Sequence, residues 1–451
     1  MNQNFQSRQD RAGSRNPADL AKLKRADIAP GIKVALLTGG IDRPYVFGLA
    51  MELISKGAAL DVIGSDTLDF PEFHGHPGLN FLNLQGSQRA DVSLLRKVFR
   101  LLVFYAKLIR YAATAKPKIF HILWNNKFEW FDRTLLMFYY KILGKKIVLT
   151  VHNVNAGKRD SKDTYFNRRT LGIQYRVAEH IFVHTDDGKR ELSDDFGVQE
   201  TRVSVIPFPI NNAVPRTRLT QSEAKLRLGI RDNNKAILFF GRITQYKGLE
   251  YLIAAFQQVL ARHDDYRLIV AGRPENDFQK YWSEIQERTR EDVRSGRMLL
   301  RADHIPDAET EVYFKAADVL VLPYKQMYQS GVMFLGYSFG LPVLASDVGG
   351  LKDEIIEGTT GFVFKSEDSN DLAATIERYF ASDLFADLVN RRQEIIDFAK
   401  ERHSWDVVGN LTMKIYAGLL RIPYAVESSN RDATMASLDV KAPHEAVRSK
   451  S

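Results

Sequence analysis

The stretch FFGRITQYKGLEYLIAAF (239–256) gathers the groups that bind a diphosphate. A strand runs out at Gly241, Arg242 follows, and Lys247 and Gly248 stand at the mouth of the next helix. In an open α/β sheet, ligands sit beyond the carboxyl ends of strands, where a helix N-terminus offers unpaired N–H groups and a positive dipole to an anion. Two cations added at that point make a diphosphate site; a surface turn with two solvated cations is the plainer alternative. Farther on, Ser330, Gly331 and Val332 introduce a helix that ends at Gly340, and small residues there let backbone amides approach a phosphate.

A second group of candidates lies earlier in the chain. In TVHNVNAGKRD (150–160), His152 closes a buried strand with Asn153 beyond it. A histidine in a cleft hydrogen-bonds a hydroxyl and carries a proton near neutral pH, while a satisfied structural plug at a strand end has the same sequence appearance. Gly39 and Gly40 follow the opening strand in LLTGGIDRP, either as a tight turn or as a flexible loop. His74 and His76 in FHGHPG lack a third ligand, and no zinc is expected. The absence of cysteine excludes disulfides and thiolate chemistry and suits a reducing compartment.

Parallel sheets must position these groups. From residue 32 onward, short β-branched runs alternate with helix-length amphipathic segments, the pattern of an α/β fold. Strands are expected at 33–38, 59–64, 118–123, 146–151, 180–185 and 203–208, and in a second lobe at 236–241, 267–272, 297–302, 318–323 and 342–347. The polar run 211–232, with Pro215, separates the lobes. With 451 residues, the chain needs more than one core. Asp307 is expected to cap a helix before the strand VLVLP, and the region 381–420 reads as two helices with Trp405 opening the second.

The ends and the surface set further expectations. Residues 1–31 carry scattered charges and no apolar segment, so a disordered leader is expected rather than a secretory signal, and 422–451 reads as a disordered tail. No apolar run is long enough to span a bilayer. The formal charge of +8 favours anionic partners. Helix 93–115 places Arg96, Lys97, Arg100, Lys107 and Arg110 on one side and Leu95, Val98, Leu102, Tyr105 and Ile109 opposite. Such a helix, followed by the aromatic-rich 128–146, suits either an anionic membrane surface or packing on the sheet with a basic outer face.

Jointly, GR followed by KG after the first strand of the second lobe, AGRP (271–274), FKAADVLVLPY (314–324), GLPVLASDVGG (340–350), Glu354 and GTTGFVF (358–364) resemble the GT-B glycosyltransferases, specifically the retaining enzymes of family 4. The resemblance runs from about Lys33 to Leu420. It implies two Rossmann-like, doubly wound domains facing a cleft: an acceptor domain at 32–210, a nucleotide-sugar domain at 211–402, and a helix at 403–421 crossing back to the first. It also implies transfer from a nucleotide-diphosphate sugar without metal or cofactor. Gly241, Arg242 and Lys247 would touch the diphosphate, the amides of Ser330, Gly331 and Val332 the distal phosphate, and Ile305 the base. His152 would stand beside the reacting sugar, with Gly39, Gly40 and Asn153 on the acceptor side; His152, Arg242 and Lys247 form the catalytic set.

The acceptor implied is a glycan or lipid-linked molecule of polysaccharide or glycolipid biosynthesis, handled in the cytoplasm at the inner face of the membrane, with no nucleic acid partner. One departure stands out. Met327 and Leu335 occupy the positions of the two family glutamates that hold donor sugar and ribose, leaving donor and stereochemistry open. A non-catalytic GT-B partner subunit and a nucleotide-sugar epimerase are the alternatives. A Rossmann oxidoreductase is disfavoured, because no G-x-G-x-x-G follows the first strand.

Overall fold

The computed structural model describes residues 31–39, 42–88, 93–159, 163–210, 214–275 and 278–424. The expected leader and tail, apart from residues 31 and 422–424, lie outside the described residues, as does Gly40. In the first lobe, strands β1 (Lys33–Leu37), β2 (Ala59–Gly64), β3 (Leu79–Asn83), β4 (Ile119–Ile122), β5 (Lys146–Val151), β6 (His180–Val183) and β7 (Val203–Val205) form one sheet in the order β3-β2-β1-β4-β5-β6-β7. In the second, β8 (Lys235–Phe240), β9 (Tyr266–Ala271), β10 (Met298–Arg301), β11 (Val319–Leu322), β12 (Val343–Ser346) and β13 (Gly361–Phe364) pair as β10-β9-β8-β11-β12-β13. Every pairing is parallel. Helices cover both faces, which is why the central strands are apolar throughout rather than alternating.

Both sheets reverse direction of winding at one point, between β1 and β4 in the first and between β8 and β11 in the second. Such switch points open crevices at the carboxyl ends of the strands. Gly39 and Trp124 lie at the first crevice; Gly241, Lys247 and Tyr324 lie at the second.

Six helices matter for the site. Helix α1 (Arg43–Ser55) starts under Asp42, whose carboxylate accepts from the Tyr45 amide, with a proline in its first turn. Helix α2 spans Leu94–Thr114 and α3 Met137–Ile142, the latter entered through a π-helical turn at Asp132–Leu136. Helices α4 (Leu249–Leu260) and α5 (Gly331–Ser338) follow β8 and β11, and α6 (Trp405–Leu420) returns to the first lobe. There Trp405, Val408, Met413 and Tyr416 join the core that holds Leu49 and Leu53 of α1. A Cβ on Gly48 would stand 2.1 Å from the Trp405 ring, so α1 and α6 meet at a glycine. Emptying that contact by Trp405→Ala costs on the order of 3–5 kcal/mol.

Three points need correction or addition. The edge strands β3 and β13 escape the sequence pattern: LNFLN is mostly unburied and ends in asparagine, and GFVF is four residues long. Asp307 does not cap its helix; Pro306 holds that position, and Asp307 is the first helical residue, where its charge meets the dipole. Finally, of the stripe opposite its cations α2 buries only Tyr105. Its core face is Phe104, Tyr105, Leu108 and Ala112, whereas Leu95, Val98, Phe99, Leu102 and Ile109 are exposed. Tyr105 sets this rotation by donating to buried Asp132 at 3.0 Å and packing its ring edge-on to Phe131.

Candidate active site between the lobes

The second-lobe side of the cleft is built by backbone geometry. Gly241, at the end of β8, has φ +106°, and a Cβ there would lie 2.9 Å from the Lys247 ammonium. Lys247 ends a single 3-10 turn, after which Gly248 at φ +65° passes so close to Pro323 that a Cβ would stand 1.9 Å from its carbonyl oxygen. These two glycines, for which left-handed backbone is unstrained, fold the loop back over β11 and carry Lys247 inward. Lys247 is buried, with its Nζ 5.3 Å from the centre of the Tyr324 ring. Arg242, in contrast, is exposed and pairs with Glu275 at 2.5 Å.

Facing them is the start of α5. Buried Ser330 occupies the cap position with no side-chain cap bond, its Oγ 3.4 Å from the Tyr324 hydroxyl. Gly241, Arg242, Lys247, Ser330, Gly331 and Val332 together line a cavity of about 340 Å³ between the lobes. Met327 and Leu335 line it too. The opposite wall comes from the first lobe and the crossing segments: Asp42, Tyr45, Phe208 and Trp405. Asp42 is the one carboxylate among the described residues lining that cavity. Burial raises its pKa, opposed by the Tyr45 amide and by the charge of Arg242. In sequence, Asp42 before Arg43-Pro44 reads only as a helix cap, so its second role facing a cation from the other lobe was hidden.

In the first lobe, His152 stands in an aromatic box. Its ring stacks on Trp124 at 4.2 Å and meets Tyr45 edge-on at 4.8 Å. His184, at the end of the neighbouring strand, has Nδ1 3.2 Å from the Ile206 carbonyl oxygen and Nε2 3.0 Å from His152 Nδ1. A carbonyl only accepts, so His184 carries its proton on Nδ1 and accepts with Nε2 from the N–H of His152 Nδ1. That chain leaves His152 Nε2 as a bare lone pair, buried and without a partner. Burial holds both rings neutral: His184 is lowered to about 4, and His152, with His184 and His121 beside it, lies well below the usual imidazole value. His152 therefore presents an acceptor, suited to a hydroxyl donor.

Not every candidate meets in one place. His152 does not line the cavity of Arg242 and Lys247; Tyr45 joins the two, lining that cavity and touching the imidazole. His152 and Asn153 line an adjacent cavity of about 170 Å³ with Trp124 and Asn125. Gly39, whose backbone abuts Trp124, lines a third. Ile305 is packed in the second-lobe core, 6% exposed.

Two facing Rossmann-like lobes with a cationic cavity between them define the class of GT-B transferases. Family models match on both sides: Glycosyltransferase Family 4 over residues 38–213 and Glycosyl transferases group 1 over residues 234–382. The chain belongs to the family 4 glycosyltransferases of GT-B fold. It is 25% identical over 366 residues to the D-inositol 3-phosphate glycosyltransferase of Acidothermus cellulolyticus, covering 78% of this chain and 80% of that one. An uncharacterized glycosyltransferase of Methanocaldococcus jannaschii is 28% identical over 387 residues, covering 82% and 92%. Among solved structures, sucrose-phosphate synthase from Thermosynechococcus elongatus superposes with TM-score 0.69 at 20% identity, covering 87% of this chain and 100% of that one. Anabaena HepE in complex with UDP-glucose superposes with TM-score 0.66 at 16% identity, covering 87% and 100%.

No helix among the described residues is long and apolar enough to cross a membrane, and no group of three or more His, Cys, Asp or Glu among them could hold a metal ion.

Proposed function

We propose that this glycosyltransferase moves a sugar from a nucleoside-diphosphate sugar to an acceptor in the first lobe, with retention and without a metal. The observation that carries this reading is the interlobe cavity in which Lys247, Arg242 and the start of α5 converge. The bond between the sugar's anomeric carbon and the diphosphate breaks, and the leaving oxygen keeps the electron pair. Lys247 and Arg242 stabilise that charge more as it grows than they do in the bound donor. The acceptor hydroxyl attacks on the face the diphosphate leaves, and its proton passes to a departing phosphate oxygen. The lone pair on His152 Nε2 takes a hydrogen bond from a hydroxyl of the reacting sugars, and Ile305 lies toward the base. The domain limits 32–210, 211–402 and 403–421 assign the acceptor, donor and crossing roles.

The acceptor we infer is a phosphate-bearing or lipid-linked glycan precursor in the cytoplasm, reached at the inner membrane face. A relative named for inositol 3-phosphate supports an anionic acceptor. The exposed apolar and basic residues of α2 support surface contact. Donor hydrolysis by the full chain, followed by NMR of the released sugar with and without a chelator, tests the chemistry. Release of the donor's own anomer at an unchanged rate is expected; the opposite anomer, or loss of turnover with chelator, would overturn retention or metal independence respectively.

A further inference from the structure

A cavity of about 520 Å³ opens in the first lobe beside α2, apart from the cavity holding Arg242 and Lys247. One wall is apolar: Val98, Leu101 and Phe104 from consecutive turns of α2. The rim carries Lys97, Arg100 and Lys127. Its single carboxylate among the described residues, Glu129, is neutralised by Arg133 at 2.5 Å, and Arg100 is steadied by the Ser87 carbonyl oxygen while keeping its charge. The opening is therefore net positive, with an apolar flank. Its inner end reaches Gly39 and Asn125, at the switch point of the sheet; Asn125 also lines the cavity of His152.

Outside the cavity the apolar surface continues rather than stopping. Leu95, Phe99 and Leu102 of α2 are 82%, 69% and 63% exposed, and the adjoining helix adds Leu135, Phe138 and Ile142 at 56%, 48% and 83%. Tyr139 donates to the Ile109 carbonyl oxygen at 3.1 Å, so the two helices present one surface. Contiguous exposed apolar surface of this kind marks a binding or membrane face.

We propose that this cavity holds a phosphate carried on an apolar chain, the head of a lipid-linked acceptor, with the chain leaving along Val98 and Leu102. Charge selects the occupant: three cations around an apolar wall suit an anionic amphiphile better than a neutral glycan or a free fatty chain. The Asn125 end, shared with the cavity of His152, points the sugar side of that head toward His152. The inference rests on the glycosyl-transfer reading and names the acceptor class of that site.

The test is isothermal titration of the full chain with farnesyl phosphate, in saturating UDP so that the Arg242–Lys247 clamp is filled. Farnesol, inorganic phosphate and myo-inositol 3-phosphate form the comparison arms. Farnesyl phosphate should bind at least about ten-fold more tightly than any of the three, and Lys97→Ala with Lys127→Ala should remove about ten-fold of that affinity, leaving UDP binding unchanged. Both lysines are exposed, so the double variant keeps its fold. Equal affinity for farnesol would show a merely greasy surface, equal affinity for inositol phosphate a soluble acceptor, and an unaffected double variant a different seat; each overturns the proposal. Failure of UDP itself to bind counts against the transferase reading and is scored separately.

Discussion

In the first-lobe sheet, strands β4 and β6 carry buried histidines. His121 is shared between the Tyr416 hydroxyl at 2.6 Å and Thr150 at 2.8 Å, and His180 meets Ser204 at 2.9 Å. In the second lobe a buried ion pair plays the comparable part: Asp318, just before β11, accepts from the Ala236 amide, from Gln221 and from buried Lys225 at 3.1 Å. Two sheets of like topology thus satisfy interior polar groups in different ways, one with neutral titratable rings and one with a fixed ion pair. The first should respond to acid over the range of histidine titration, and the second to mutation of either partner of the pair.

The acid response is the larger effect. Burial lowers His121 to about 3 and His180 and His184 to about 4, against an ordinary value of 6.5. Below pH 6.5 the unfolded chain binds protons that the folded one refuses. The stability is therefore fully present above pH 6.5 and is lost as pH falls toward 4. Each such histidine contributes a slope of about 1.4 kcal/mol per pH unit in that window. Fluorescence of Trp124 should report unfolding of the first lobe before Trp282 reports the second; simultaneous loss, or a flat profile from pH 7 to 4.5, would break the contrast.

Next in size, Asp318→Ala should cost about 3–5 kcal/mol by leaving Lys225 buried without its counter-charge. Urea unfolding followed at Trp282 measures it, and a change below about 1 kcal/mol would mean that the pair is not the second lobe's fixed polar element. The smallest effect sharpens the first-lobe side. His184→Leu removes the acceptor that fixes the tautomer of His152, so turnover should fall about ten-fold, the kinetic equivalent of one neutral hydrogen bond. Donor affinity should stay level, because His152 does not line the cavity of Arg242 and Lys247. A fall in donor affinity without a fall in turnover would place His184 in the donor site instead.

The strands nearest the two switch points were legible in the sequence because their apolar runs have nowhere polar to face; β3 and β13, at the sheet edges, carry too little such signal. That Arg242 and Lys247 stand together after a strand end was also legible as a local pattern, and both line the interlobe cavity. Their unequal burial was not. It follows from Gly248 meeting Pro323, a contact made by chain segments far apart in sequence. Asp42 and His184 were overlooked for a related reason: one reads as a cap and the other as a strand end until the lobes close on one another. The rotation of α2 depended on Tyr105 finding Asp132, a pairing that helical periodicity does not reveal.

The central claim is that the buried ammonium of Lys247 stabilises the departing diphosphate, and the rate of donor turnover by Lys247→Ala tests it most directly. Turnover should fall by about 10² to 10³, or roughly 2.7–4 kcal/mol, with circular dichroism unchanged. Arg242→Ala should lose less, because that guanidinium is already exposed and paired with Glu275. Turnover by a folded Lys247→Ala at the wild-type rate would contradict the claim and leave the interlobe cavity without its proposed clamp.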